Sequence, residues 1–276
     1  MRNVFFAAAK LTARHLMPFA LALLAAGCAT TPSSKIVGED VTYRDGDTTL
    51  RGYLAYDDAS RGKRPGILVL HEWWGVTPHV RDYARALASE GYTALAVDMY
   101  GEVAEDPKTA GALMKGVMGA PDVMKSRFAA AKRLLAAHPT VDERRLGAIG
   151  FSMGGRVALQ MARADQDLAG VVSIYGNLET REPARAEVTR SRVLVLHADG
   201  DPFVKPESIP AFRSEMEAAK VDYSFVSYPG VKHGFANPDA TDRGKRFGMP
   251  IAYDAEADRK ARAEIFRFFS TVFRKP

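Results

Sequence analysis

Apolar residues fall along this chain in short continuous runs, separated by longer stretches whose apolar positions recur at helical spacing. Gly66–Leu70, Thr93–Val97, Leu146–Ile149, Leu168–Tyr175, Arg192–His197 and Asp222–Tyr228 are runs of the length and character of buried strands. Between and after them, Val80–Glu90, Val123–Ala137, the pattern Val157, Ala158, Met161, Ala162, then Pro206–Lys220 and Ala257–Phe273 have helical periodicity. The last of these carries an aromatic face at Phe266, Phe269 and Phe273. Upstream, Val41–Tyr43 and Thr48–Tyr56 flank Asp45-Gly46-Asp47, the signature of a hairpin. Ala104–Pro121 is rich in Gly and Met and only weakly periodic, and is expected to be a mobile cover. Strands alternating with helices predict one α/β domain, a mostly parallel central sheet with helices on both faces. Ligands of such sheets sit at the carboxyl ends of the strands, so the loops after Leu70, Val97, Gly150, Leu196 and Tyr228 should converge.

The front of the chain has a different character. Arg2, Lys10 and Arg14 are basic, no acidic residue precedes Glu39, and Leu16–Ala26 is mostly apolar. That run is too short to span a bilayer and suits the core of a signal peptide. It ends Leu24-Ala25-Ala26-Gly27-Cys28, which resembles the lipobox of bacterial lipoproteins. Cys28 is the only cysteine, so it has no partner for an internal disulfide, and lipidation would explain it in an exported chain. The expected division is a signal peptide over 1–28, a polar tether over 29–38 and a catalytic domain over 39–276. The product would be exported to the periplasm and held to the membrane through an N-terminal lipid. Losing Arg2, Lys10 and Arg14 with the signal lowers the formal net charge from +5 by three. With no basic stripe carrying interleaved aromatics, a nucleic-acid partner is not expected. The rest of the composition, 47% hydrophobic and 26% charged, is that of ordinary globular protein.

Candidate chemistry centres on Gly150-Phe151-Ser152-Met153-Gly154, a G-x-S-x-G sequence lying between the strand ending near Ile149 and the helical pattern from Val157. Strand, sharp turn and helix are the context in which this motif presents a serine hydroxyl above a sheet. A serine nucleophile needs a base within hydrogen-bond reach, and the base needs an acid to hold its tautomer. Only His197 and His233 follow Ser152. His197 ends an apolar strand and is read as a core or supporting residue. His233 follows the last strand, where a base belongs. Of the acids in His197-Ala198-Asp199-Gly200-Asp201-Pro202, Asp199 suits a turn cap and Asp201 is the better partner for His233. The oxyanion hole is expected at the Met153 and Trp73 amides. His71-Glu72-Trp73-Trp74-Gly75 is not a zinc motif, because H-E-x-x-H would require histidine at 75. No metal site and no cofactor are expected. Glu72, Trp74 and Tyr100 are candidates for pocket walls or for orienting the nucleophile.

Taken together, His71-Glu72-Trp73-Trp74-Gly75, Asp98-Met99-Tyr100, Gly150–Gly155, His197–Asp201 and His233-Gly234-Phe235 resemble the dienelactone hydrolase family of α/β-hydrolases, over about Gly52 to Phe273. The resemblance implies an α/β-hydrolase fold, with nucleophile, acid and base at Ser152, Asp201 and His233, and with Glu72 interacting with the nucleophile. It also marks departures. The best-known members use cysteine and are cytoplasmic. They bind the substrate carboxylate with arginines at positions held here by Glu102 and Asn237, from which an anionic dienelactone is not the expected substrate. The reading is a serine hydrolase that cleaves small-molecule esters or lactones through an acyl-enzyme. Two alternatives remain open: a peptidase or acyltransferase with the same triad, and a non-catalytic envelope lipoprotein that uses the fold for binding.

Overall fold

The computed structural model describes residues 34–274. The expected signal peptide with Cys28, and the first half of the expected tether, therefore lie outside the described residues. The chain forms strands β1 (Ile36–Asp45), β2 (Thr48–Asp57) and β3 (Arg64–Leu70), helix α1 (Pro78–Ser89), β4 (Thr93–Val97), α2 (Pro107–Met118) and α3 (Pro121–Ala137). There follow β5 (Val141–Phe151), α4 (Met153–Arg163), β6 (Gly170–Ile174), β7 (Arg192–Ala198), α5 (Ser208–Ala218), β8 (Tyr223–Tyr228), α6 (Ala240–Phe247) and α7 (Ala255–Val272). The eight strands make one sheet in the order β1-β2-β4-β3-β5-β6-β7-β8. From β4 to β8 every neighbouring pair is parallel, and only β1–β2 and β2–β4 are antiparallel.

Alternation along the strands builds two cores, one on each face. Leu68, Leu70, Leu95, Val97, Ala148, Val193 and Val195 pack with Phe128 and Leu135 of α3, Val157 and Met161 of α4, and Phe212 and Met216 of α5. Their neighbours Ile67, Val69, Ala94, Ala96, Ile149, Leu194 and Leu196 pack with Val80, Tyr83 and Leu87 of α1 and Ile265 and Phe269 of α7. Burial on both sides is why these strands read as unbroken apolar runs.

Two expectations need correction. Strand β1 begins at Ile36, inside the stretch expected to be tether, because pairing with all of β2 gives its backbone partners although only its Tyr43 side chain is buried. Ala104–Pro121 is ordered into α2, where Asp106 caps the helix by accepting from the Lys108 and Thr109 amides and Pro107 opens it. Helix α6 had no expectation at all.

Helix α2 buries only Ala110 and Val117, and a Cβ placed on Gly116 would meet nothing within 4 Å. Gly116→Ala should therefore stabilise the protein by about 0.5–1 kcal/mol through helix propensity. Urea unfolding checks this, and an unchanged or lowered midpoint would contradict a helical residue 116.

Candidate active site

Ser152 stands between β5 and α4 with φ 53° and ψ −115°, a conformation that costs free energy for a residue with a side chain. Its amide is tied down by donation to the Ile174 carbonyl at 2.9 Å. The flanking glycines make the turn sterically feasible. A Cβ on Gly154 would lie 2.5 Å from the Leu70 carbonyl oxygen and 2.6 Å from that of His71, while one on Gly150 would collide with the Gly154 carbonyl. The hydroxyl is thus presented at the N-terminus of α4, where the helix dipole favours negative charge.

Two loops from neighbouring strand ends reach it. His233 Nε2 lies 2.8 Å from Ser152 Oγ, and His233 Nδ1 lies 2.6 Å from Asp201 Oδ2. The Asp201 carboxylate is fully buried, and its other oxygen accepts from the Phe203 amide at 2.8 Å. His233 is fixed by a bridge to Ile251, including donation from the Ala252 amide to its carbonyl. Tyr175 and Phe203 pack edge-on to its ring, each with centroids 5.0 Å away. Asp199 is instead exposed, 3.8 Å from the buried His197, and neither residue hydrogen-bonds to Ser152 or His233.

Glu72 is buried and has no hydrogen bond to Ser152. The Asn237 amide donates to its Oε2, and the Tyr175 hydroxyl donates to Oε1 at 3.3 Å. Burial pushes its carboxyl up from the ordinary carboxylate range, against the pull of the His233 charge and the two hydrogen bonds. Its neighbour His71 bridges the loops after β3 and β4: Nδ1–H donates to the Glu72 carbonyl, and Nε2 accepts from the Met99 amide at 3.1 Å. Burial pushes the His71 pKa down, in keeping with a neutral ring that donates on one side and accepts on the other. Met153 and Trp73 both line the cavity at Ser152, and neither amide donates to a described backbone or side-chain acceptor.

That cavity, about 570 Å³, has Trp73, Trp74, Phe247 and the methionines Met114, Met118 and Met249 among its walls. Trp74 is buried against Phe247 in a small apolar cluster separate from the two main cores. Tyr100 is not a wall; its hydroxyl meets Met153 Sδ at 2.9 Å, so it props the residue after Ser152 from behind. Glu102, expected to repel an anion, is exposed and lines no part of the cavity, and Asn237 is committed to Glu72. Glu102 therefore exerts no repulsion from the cavity wall, and neither position supplies an arginine. Among the described residues, no group of three or more His, Cys, Asp or Glu could hold a metal ion.

Sequence reasoning missed Tyr175, Phe203, Arg156 and Arg243, all of which line the cavity. Arg156 had a signal, since a residue four past Ser152 on the following helix shares its face. Tyr175 had a weaker one, directly after an apolar strand. Arg243 had none, because α6 was not foreseen.

The chain is similar to several known proteins. The Aquifex pyrophilus Protein usf is 26% identical over 211 residues, 75% of this chain and 90% of its own. A Salmonella typhi protein, provisionally named carboxymethylenebutenolidase, is 30% identical over 197 residues, 66% of this chain and 72% of its own. Among solved structures, a dienelactone hydrolase-like promiscuous phosphotriesterase, P91 from metagenomic libraries, superposes with a TM-score of 0.81 at 32% identity. That superposition covers 87% of this chain and 99% of P91. Residues 50–273 match the sequence profile of the dienelactone hydrolase family, and the chain belongs to that family.

Proposed function

We propose that the protein is a serine hydrolase that cleaves carboxylic esters or lactones through an acyl-enzyme. The observation that carries this reading is the unbroken hydrogen-bonded line Ser152–His233–Asp201 at the cavity. With Asp201 accepting from Nδ1–H, the free Nε2 lone pair of His233 takes the Ser152 proton as Oγ attacks the carbonyl carbon. The oxyanion forms against the Met153 and Trp73 amides. His233 then returns the proton to the departing alkoxide, leaving Ser152 acylated. Water, deprotonated by His233, releases the acid and restores the serine. The provisional name of the Salmonella typhi relative points to the same kind of chemistry.

A thiol can be ionised by a nearby carboxylate, but a serine hydroxyl is too weak an acid for that, so proton transfer falls to His233. Glu72, engaged by Asn237 and Tyr175, orients the loops around Ser152. Export and lipid attachment at Cys28 belong to the same proposal, supported by the basic and apolar leader and by the solitary cysteine.

On p-nitrophenyl esters, Asp201→Asn should lower kcat by on the order of 10³–10⁴-fold with KM little changed. Retention of most of the rate would contradict the role given to Asp201. For Glu72 the folded pKa is raised, so its contribution to stability is fully present below the unfolded carboxyl pKa and is lost as pH rises through the folded value. Glu72→Gln should accordingly gain stability relative to wild type from about pH 4 upward, the reference range of glutamate. A pH-independent difference in denaturant midpoints would contradict this. Cells fed labelled palmitate should label the wild-type chain and not Cys28→Ser; an unlabelled wild type would exclude the anchor.

A further inference from the structure

Sheet order places the groups around Ser152 on two flanks. His233 follows β8 and Asp201 follows β7, so the base and its acid stand on the β6–β8 side of β5. On the other side come β3 and then β4, whose following segments bring Trp73, Trp74 and helix α2 to the same cavity. Met114 and Met118 lie four residues apart on α2, so they share a face, and both line the cavity. Trp74 packs with Ala110 of α2, Phe247 and Met249 in the small apolar cluster on this flank. The chemistry above uses neither Met114 nor Met118.

The reaction itself decides which half of an ester faces which flank. The departing alkoxide takes its proton from His233 Nε2, so the alcohol portion lies on the β6–β8 side, against Phe203, Gly234 and Ile251. The oxyanion is held at the Met153 and Trp73 amides. Of the substituents on the tetrahedral carbon, that leaves the acyl chain to point away from His233, toward α2. The side chains it meets there are unbranched, polarizable methionines, which fill irregular space around ligands of varied shape. Helix α2 is also lightly held, since it buries only Ala110 and Val117, so this wall can adjust to what lies against it.

We propose that Met114 and Met118 form an acyl pocket, and that they set a preference for esters whose acyl portion is an apolar chain long enough to reach α2. The proposal rests on the ester-hydrolase reading of Ser152 and adds which element reads which half of the substrate. Each methylene laid against these side chains leaves water, which raises kcat/KM by up to about fourfold, the worth of burying one CH2 group. An acetyl group stops short of α2 and forgoes that contribution. The alcohol half is read separately, by Phe203 beside the His233 ring.

Two matched pairs of substrates test the assignment. p-Nitrophenyl hexanoate against p-nitrophenyl acetate varies the acyl chain alone, and hexyl acetate against ethyl acetate varies the alcohol alone. The full chain should favour the hexanoate in kcat/KM by about tenfold or more. Met114→Trp and Met118→Trp, which fill the pocket, should each shrink that ratio severalfold and leave the alcohol ratio unmoved. Phe203→Ala should do the reverse. The ratios are internal to each preparation, so partial misfolding of a variant does not mimic the effect. A wild-type acyl ratio near or below one, an acyl ratio unmoved in both tryptophan variants, or an alcohol ratio that falls in its place overturns the proposal while leaving ester hydrolysis intact. If no ester is turned over, calorimetry of Ser152→Ala with the two p-nitrophenyl esters separates the failures. Tighter binding of the hexanoate, lost when Met118→Trp is added, supports the pocket and sinks the acyl-enzyme reading. Equal or undetectable binding overturns the pocket as well.

Discussion

The turn at Ser152 exists only because two glycines stand where side chains would collide with backbone. Leu70 and His71 pass so close to Gly154 that β3 and the start of α4 are in contact through their main chains. That proximity has a functional consequence. It brings the loop after β3, with Trp73 and Glu72, against the helix N-terminus at which Ser152 is presented. The strained φ of Ser152 is held by the Ile174 carbonyl, so β6 also contributes to its position. The candidate nucleophile is therefore fixed by three strands of the parallel sheet.

The remaining groups are held by ties between loops that have little sequence in common. Asn237, four residues past His233, reaches Glu72, and Tyr175, at the end of β6, reaches the same carboxylate. Glu72 thus joins the loops after β3, β6 and β8. A buried carboxylate with two donors is poorly placed to act on a serine and well placed to lock the base against the oxyanion site. Phe203 and Tyr175 close on the His233 ring from two loops, shielding the Asp201–His233 pair from water and strengthening it.

Much of this was legible in the sequence where the physics is local. Runs such as Ile67–Leu70 and Thr93–Val97 declared doubly covered strands because both of their faces are buried. Ser152, Asp201 and His233 stood out because the motif and the strand ends restrict where a nucleophile, acid and base can sit. What was not legible depended on tertiary partners. Strand β1 buries only Tyr43, and only pairing with β2 makes it a strand. Glycines and weak periodicity hid α2, which rests on its Asp106 cap and a few contacts. Glu102 was assigned an effect on the substrate from its place in the sequence alone, and the fold turns it to solvent. Arg243 belongs to a helix whose apolar positions are too few to advertise it, since α6 buries only Ala240 and Gly244.

The central claim is that Ser152 is a nucleophile activated by His233. Reaction of the full chain with a fluorophosphonate, followed by intact mass and peptide mapping, tests it most directly. The account predicts a single adduct on the peptide containing Ser152, lost in Ser152→Ala and strongly slowed in His233→Ala. An unlabelled wild type, or an adduct that persists in Ser152→Ala, would contradict it.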